Sequence, residues 1–288
     1  MGKARKGWQK MIQWYDATNS NCYRGGKRGV EMYNVACTDR RASYPVTAKR
    51  HTDVVAALNT DGFCVLKGVA DPIKLLQLKN EFEIQAAAKE NLKEHNEHFT
   101  VVDQALVNCP TVKDFAFSDL VLEIASEYFN CLPALGTFNL RKSYANTSSP
   151  VKHQIFHSDP NSIKFIKFFF YLNNVDIDGG PFCIVKGSLY RKFSGWLNKY
   201  RWSEEEMKAI YGEDSIQYLT ANVGDMIIAN TTCFHRGVPP IKQDRTMLTL
   251  NYVVHPEDWK EPTFQICKED YDNMPDSIKP VADYLVRV

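Results

Sequence analysis

The chain has 288 residues, 44% hydrophobic and 24% charged, with a net charge of +1. That length can bury a full core, and the even balance excludes both a globally basic nucleic-acid binder and an acidic disordered chain. No apolar run reaches membrane-spanning length. The start, "MGKARKGWQK", has neither the apolar core of a secretory leader nor a Ser or Thr at position 6 for myristoylation, so a cytoplasmic protein is expected. Cys22, Cys37, Cys64, Cys109, Cys131, Cys183, Cys233 and Cys267 include no C-x-x-C pair, and several sit in apolar runs. Buried free thiols in a reducing compartment are expected, not a disulfide frame or a zinc ribbon.

Residues 1–50 are irregular and basic, with eleven Lys and Arg against Asp16, Glu31 and Asp39. "RGGKRG" and "RRASYP" read as loop and lack the G-K-[ST] ending of a phosphate loop. Such an arm can meet phosphates or be a solvated extension. Nucleic acid therefore stays open as a partner, although no aromatic platforms interleave with the charge. "DGFCVLKGV" (61–69) reads as a turn and a buried strand. One helix is expected over 71–95, capped by Asp71, with Pro72 in its first turn and Ile73, Leu76, Phe82 and Ile84 as its apolar positions. A second helix is expected over 118–129.

From 134 onward the pattern changes to strands, at 134–144, 163–175, 181–188, 225–234 and 246–254. A short helix over 203–212 has a capping box from Ser203 to Glu206. Helices followed by five strands predict a mainly β domain, an antiparallel double-sheet barrel with helices outside. We divide the chain into a basic extension, 1–50, and one barrel domain, 51–288. The long connection 190–218 carries Trp196, Tyr200, Trp202 and Tyr211 and is expected to serve as a lid.

The segment "VKHQIFHSDPNS" (151–162) admits two metal readings. His153 and His157 have the spacing of a zinc-protease helix, but Gln154 cannot be the general base that such a site takes from Glu. Pro150 and Pro160 also leave barely two turns. On a strand, His157 and Asp159 point the same way and can offer a nitrogen and an oxygen to one metal. A facial triad of two His and one carboxylate, which suits Fe(II), then needs a distant second His. His235 follows an apolar strand and opens the turn "RGVPP". The other candidates are weaker: His51 precedes the barrel, His95 and His98 are expected to be solvated, and His255 follows the last strand. Arg245 starts the next strand among apolar residues, where a guanidinium needs an anion and fits a carboxylate.

These residues resemble the phytanoyl-CoA dioxygenase family of Fe(II)/2-oxoglutarate-dependent oxygenases. "LNTDGFCVLKGV" is similar to the N-terminal strand of that family, "QIFHSD" to its Q-x-x-H-x-D segment, and "FYLNNVDIDGGPFCIVKGSL" to the strand and loop that follow. "GDMIIANTTCFHRGVPPIKQDR" is similar to its distal G-D, H and R segment. The resemblance covers most of residues 58–254. It implies a double-stranded β-helix of jelly-roll, cupin-like type, with Fe(II), 2-oxoglutarate and O2 as cofactors and co-substrate. His157, Asp159 and His235 would be the iron ligands and catalytic centre, and Arg245 would hold the far carboxylate of 2-oxoglutarate. Gln154 would line the cofactor or substrate side. Asn139, Arg141 and Ser143 alternate on one strand face and would face either the cofactor or solvent. Halogenating relatives lack the carboxylate, so Asp159 implies hydroxylation, with release of succinate and CO2. Lys186, Gly187, Ser188 and Leu189 stand where the family has P-G-S-H, and the substrate stays unidentified.

The leading expectation is hydroxylation of a small molecule. The rivals are a protein or peptide hydroxylase on the same iron site, and a non-catalytic binding or assembly protein on the same barrel. Within "VKHQIFHSDPNS", His153 is expected to be a bystander whose loss leaves most turnover intact.

Overall fold

The structure, a computed structural model, describes residues 38–46, 48–159, 164–254 and 263–288, without the side chain of Leu197. Residues 38–43 are helical and belong to the domain body, because Arg40 is buried against it. Its Nε donates to the Leu132 carbonyl at 2.6 Å and its Nη2 to the carbonyls of Pro133 and Pro280 at 3.0 and 2.6 Å. The boundary expected at residue 50 therefore moves forward to at least residue 38. Part of the basic charge of the extension is spent on carbonyls of its own domain. The arm before residue 38 lies outside the described residues.

The helices α1 (Thr52–Thr60) and α2 (Pro72–Ala86) flank strand β1 (Phe63–Leu66). Asp71 caps α2, accepting from the Ile73 N–H at 2.8 Å, with Pro72 where a missing N–H costs nothing. The buried stripe of α2 is Leu75, Leu78 and Phe82. Ile73, Leu76 and Ile84, expected to face inward, are 77%, 58% and 69% exposed. The helix also ends at Ala86, short of residue 95. A 3-10 turn over Lys89–Asn91 follows, then β2 (Leu92–His95), which pairs with β3 (Phe99–Val102). Pairing across a turn overrides helix propensity here, because it hands the backbone of 92–95 to a sheet edge. His95 and His98 consequently sit beside this turn. His95 is exposed, but His98, expected to be solvated, is buried.

Three helices, α3 (Ala105–Asn108), α4 (Val112–Ala116) and α5 (Asp119–Phe129), precede β4 (Ala134–Ser143) and β5 (Phe165–Tyr171). The remaining strands are β6 (Phe182–Val185), β7 (Ile216–Leu219), β8 (Met226–Ala229), β9 (His235–Gly237) and β10 (Arg245–Val253), with α6 (Glu204–Tyr211) between β6 and β7. Seven of them form one antiparallel sheet in the order β1-β8-β5-β10-β4-β3-β2, and β7-β6-β9 form a second. Residues 155–157 extend the second sheet through the bridge of His157 to His235. This is the jelly-roll arrangement expected, and the capping box of Ser203 and Glu206 starts α6 as predicted. At the chain end, β11 (Gln265–Ile266), α7 (Lys268–Asp272) and β12 (Val286–Arg287) form a small appendage.

Alternation along the strands separates two environments. Leu140, Phe168, Phe170, Leu248, Leu250 and Tyr252 pack outward against the helices around Leu75, Phe82 and Phe129. The inward residues run in register across the large sheet. One row is Thr137, Asn251 and Lys167, the next Asn139, Thr249 and Phe169, then Arg141, Met247 and Tyr171, and finally Ser143 and Arg245. A sheet interior this polar is built for a ligand, because buried polar side chains need partners.

Most of the described aromatics of the connection 190–218 are core, while Tyr200 is exposed. Trp196, Trp202, Tyr211 and Phe193 close around Phe234 behind the small sheet, with ring centroids 5.0 to 5.9 Å from it. Large rings follow burial, and the outer face of β6 offered Cys183 and Val185 to cover. The six cysteines among the described residues form no disulfide with one another, while Cys22 and Cys37 lie outside them. No helix among the described residues is long and apolar enough to cross a membrane. Phe234→Ala should therefore cost about 3–5 kcal/mol of folding stability, read from urea unfolding. A lid residue would change ligand affinity with little loss of stability.

Candidate metal centre and its cavity

His157 and His235 lie opposite one another on neighbouring strand segments, with N–H to carbonyl hydrogen bonds of 3.0 and 2.8 Å in the two directions. Directly opposed residues of an antiparallel pair share a face, so the two rings stand side by side with centroids 4.3 Å apart. Each Nδ1 is 2.9 Å from a backbone carbonyl two residues earlier, Ile155 for His157 and Cys233 for His235. A carbonyl only accepts, so Nδ1 carries the proton in both rings and each Nε2 presents a lone pair.

Asp159 is set by its own N–H, which donates to the Thr231 carbonyl at 2.9 Å. Its Oδ1 lies 3.4 Å from His157 Nε2 and its Oδ2 lies 3.3 Å from His235 Nε2. One ligand atom from each of the three residues falls within 4.8 Å of the others. Two imidazole nitrogens and one carboxylate oxygen on one side of a barrel form the donor set of a facial triad. Burial would raise the Asp159 carboxyl, but the Lys167 ammonium holds it well below the usual carboxylate range. Lys167 Nζ is 2.6 Å from Asp159 Oδ2. Burial, reinforced by His157, pushes the His235 imidazole down to about 4.

The triad lies in the wall of a cavity of about 330 Å³ between the two sheets. Arg245 is buried deep within it, 3% exposed. Its Nη1 donates to the Val238 carbonyl at 3.2 Å and its Nη2 to Ser143 Oγ at 3.3 Å, while Nε is buried with no partner. Burial pushes this guanidinium's pKa down. Arg141 faces the same end, its Nε also buried without a partner, and burial together with Arg245 pushes it down to about 10. Gly237 makes room here, since a Cβ on it would stand 3.2 Å from Arg245 Nη2.

Asn139 and Arg141, open between cofactor and solvent in the sequence, line the cavity. Gln154 does not. Its side chain is buried, but Oε1 accepts the Val151 N–H at 2.9 Å and ties down the turn before the triad. His153 stands apart from the three clustered donors, as expected, but it is not idle. It lines the cavity, rests on Phe99 with centroids 5.1 Å apart, and its Nε2 is 2.7 Å from Arg141 Nη1. Burial and the two arginines push its imidazole down to about 2, so it accepts from Arg141 as a neutral ring. His255 lies outside the described residues. Lys167, Thr231 and Asn251 also line the cavity and escaped the sequence reading. The signal for Lys167 was present: one charge in the apolar alternation of "FIKFFFY" is as anomalous as Arg245.

The two depressed imidazoles set a pH dependence. Both His153 and His235 are held neutral in the fold and are free to protonate near 6.5 when unfolded. Their contribution is therefore complete above that value and is lost progressively as pH falls from 6.5 toward 4 for His235 and toward 2 for His153. Urea unfolding of metal-free protein should show a stability loss on the order of 3–5 kcal/mol between pH 7 and pH 4.5. An unchanged midpoint over that interval would contradict buried neutral rings.

No protein-family profile matches the sequence, and a search of curated proteins finds no match. Solved structures do match. HygX from Streptomyces hygroscopicus, with nickel and 2-oxoglutarate bound, superposes with a TM-score of 0.55 at 14% identity, over 77% of this chain and 91% of that one. The non-heme alpha-ketoglutarate-dependent epimerase SnoN from nogalamycin biosynthesis gives 0.53 at 14%, over 70% and 81%. The carbocyclase SnoK from nogalamycin biosynthesis, likewise non-heme and alpha-ketoglutarate-dependent, gives 0.54 at 13%, over 72% and 86%. At this identity the likeness is one of fold, and the chain shares the jelly-roll fold of these iron- and 2-oxoglutarate-dependent enzymes.

Proposed function

We propose that the protein is an Fe(II)- and 2-oxoglutarate-dependent dioxygenase that oxidises a C–H bond of a small molecule, with hydroxylation as the outcome. The observation that carries this reading is the pairing, in one cavity, of a buried His-Asp-His donor set with a buried guanidinium that no carboxylate neutralises among the described residues. A metal triad alone fits many chemistries. A triad with an unneutralised arginine at the far end of its cavity fits a metal and a tethered carboxylate together.

His157, Asp159 and His235 would hold the metal, and their nitrogen and oxygen donors suit Fe(II). Arg245, with Arg141 beside it, would hold the distal carboxylate of 2-oxoglutarate, and Asn139 lines the cavity between them and the mouth. When bound, iron and 2-oxoglutarate supply the activation of O2. The chain's own residues orient and dry the site. The Ile155 and Cys233 carbonyls fix both imidazoles, His153 fixes Arg141, and Phe169, Phe182 and Met247 exclude water beside the ligands. Asp159 fills the position that a halide would need, which favours hydroxylation over halogenation. A cavity of about 330 Å³ suits a small substrate. HygX has been solved with nickel, 2-oxoglutarate and hygromycin B bound, which accords with a small molecule here.

The test is an anaerobic titration of apo-protein with Fe(II) and then 2-oxoglutarate, followed in the visible. A weak charge-transfer band is expected only with both present. Asp159→Ala should abolish it, and Arg245→Gln should weaken 2-oxoglutarate by about a hundredfold, the usual cost of stripping one partner from a buried charge pair. Metal uptake without a band would leave the non-catalytic binding protein as the better reading.

A further inference from the structure

The cationic groups of the cavity fall into two clusters, and the proposed cofactor occupies only one of them. Arg245 and Arg141 lie at the deep end, with Ser143 and Gly237. The second cluster lies at the other end of the same inward face. Asn251 is six residues beyond Arg245 on β10, about 20 Å along the strand, and it stands in register with Lys167 on β5 and Thr137 on β4. Lys93, on β2, also lines the cavity, its ammonium 5.1 Å above the Phe264 ring. The triad lies between the clusters, tied to the outer one by the contact of Lys167 with Asp159 and to the inner one by Gly237, two residues after His235.

Charge and hydrogen bonding both call for a further ligand at the outer end. Lys93, Arg141, Lys167 and Arg245 face Asp159 as the sole carboxylate among the described residues lining the cavity. Three positive charges are left over. A divalent metal and dianionic 2-oxoglutarate cancel one another, so the same three remain in the loaded site, and a cavity of one sign recruits the opposite sign. One N–H of the Lys167 ammonium goes to Asp159, and an ammonium has three. Asn251, 2% exposed, has a buried Oδ1 with no partner, and Thr231, fully buried, has an unpartnered Oγ1 beside the triad. Native proteins rarely leave such atoms unsatisfied, and both line this cavity.

We propose that the substrate carries a carboxylate or phosphate group within a few bonds of the carbon to be oxidised, and that Lys167 and Lys93 receive it, with Asn251 and Thr231 meeting its polar neighbours. This rests on the reading of the site as an iron and 2-oxoglutarate centre. Lys93 and Lys167 then determine specificity, selecting acidic substrates over their neutral analogues.

The experiment uses the full chain loaded with Co(II) and 2-oxoglutarate under argon, titrated calorimetrically with acetate, inorganic phosphate and acetamide. Acetate or phosphate should bind in the millimolar range and acetamide should not. Lys93→Gln and Lys167→Gln should each weaken the anion about tenfold. Lys93→Gln should keep wild-type affinity for 2-oxoglutarate, which separates it from any disturbance of the metal that Lys167→Gln introduces through Asp159. The Co(II) absorption spectrum reports that disturbance directly. Equal binding of acetamide, no binding of either anion, or anion binding unchanged in both variants (an adventitious ion on the metal only) would overturn the proposal. Wild-type protein that takes up neither Co(II) nor 2-oxoglutarate would instead overturn the reading of the site itself.

Discussion

The candidate site depends on one backbone bridge. The reciprocal hydrogen bonds between His157 and His235 set two imidazoles from chain segments almost eighty residues apart into the same pleat, facing the same cavity. Local carbonyls then fix the tautomers, and the two-residue spacing to Asp159 brings the carboxylate round to both Nε2 atoms. Nothing in this needs a flexible loop to close. A slip of one residue in the pairing would turn one imidazole to the other face of the sheet, and the donor set would be lost. The aromatic cluster around Phe234 backs this pairing from behind, so it serves the site by rigidity.

A second constraint runs through the large sheet. Its outer face is an ordinary apolar core, while its inner face carries Thr, Asn, Arg, Ser and Lys in register. Such an interior is expensive when dry, because each buried donor and acceptor forfeits water. The orphaned Nε atoms of Arg141 and Arg245, and the orphaned oxygens of Asn251 and Thr231, mark where that cost stands uncompensated by the chain itself. Functional sites are where a protein tolerates such violations of its own packing rules. On the proposed reading, the deep arginines would hold the cofactor carboxylate, and Lys167 and Lys93 would hold a substrate anion on the other side of the triad.

Much of this was legible in the sequence. The strand reading of "HQIFHSDP" put His157 and Asp159 on one face, and Arg245 stood out as a charge opening an apolar strand. Both inferences rest on the period of two, which β-structure enforces locally. Other features were settled by contacts that no local pattern encodes. Residues 92–95 leave their helix pattern because β3 offers them a partner. The α2 stripe was misread because Ile73, Leu76 and Ile84 are apolar yet exposed, and only the placement of α2 against the sheet distinguishes them from Leu75 and Leu78. Trp196 and Trp202 looked like a lid because long aromatic connections often are one, and only the position of Phe234 shows that they are core. His153 and Gln154 exchanged roles for the same reason. The turn over Lys152–Gln154 takes the Gln side chain for itself and delivers the imidazole to Arg141.

The most direct test of the account is anomalous diffraction from crystals of the full chain grown with Mn(II). The account predicts one strong peak bonded to His157 Nε2, His235 Nε2 and an Asp159 carboxylate oxygen, with His153 uninvolved. A peak that includes His153, or a folded protein whose triad takes no metal at saturating Mn(II), would contradict it.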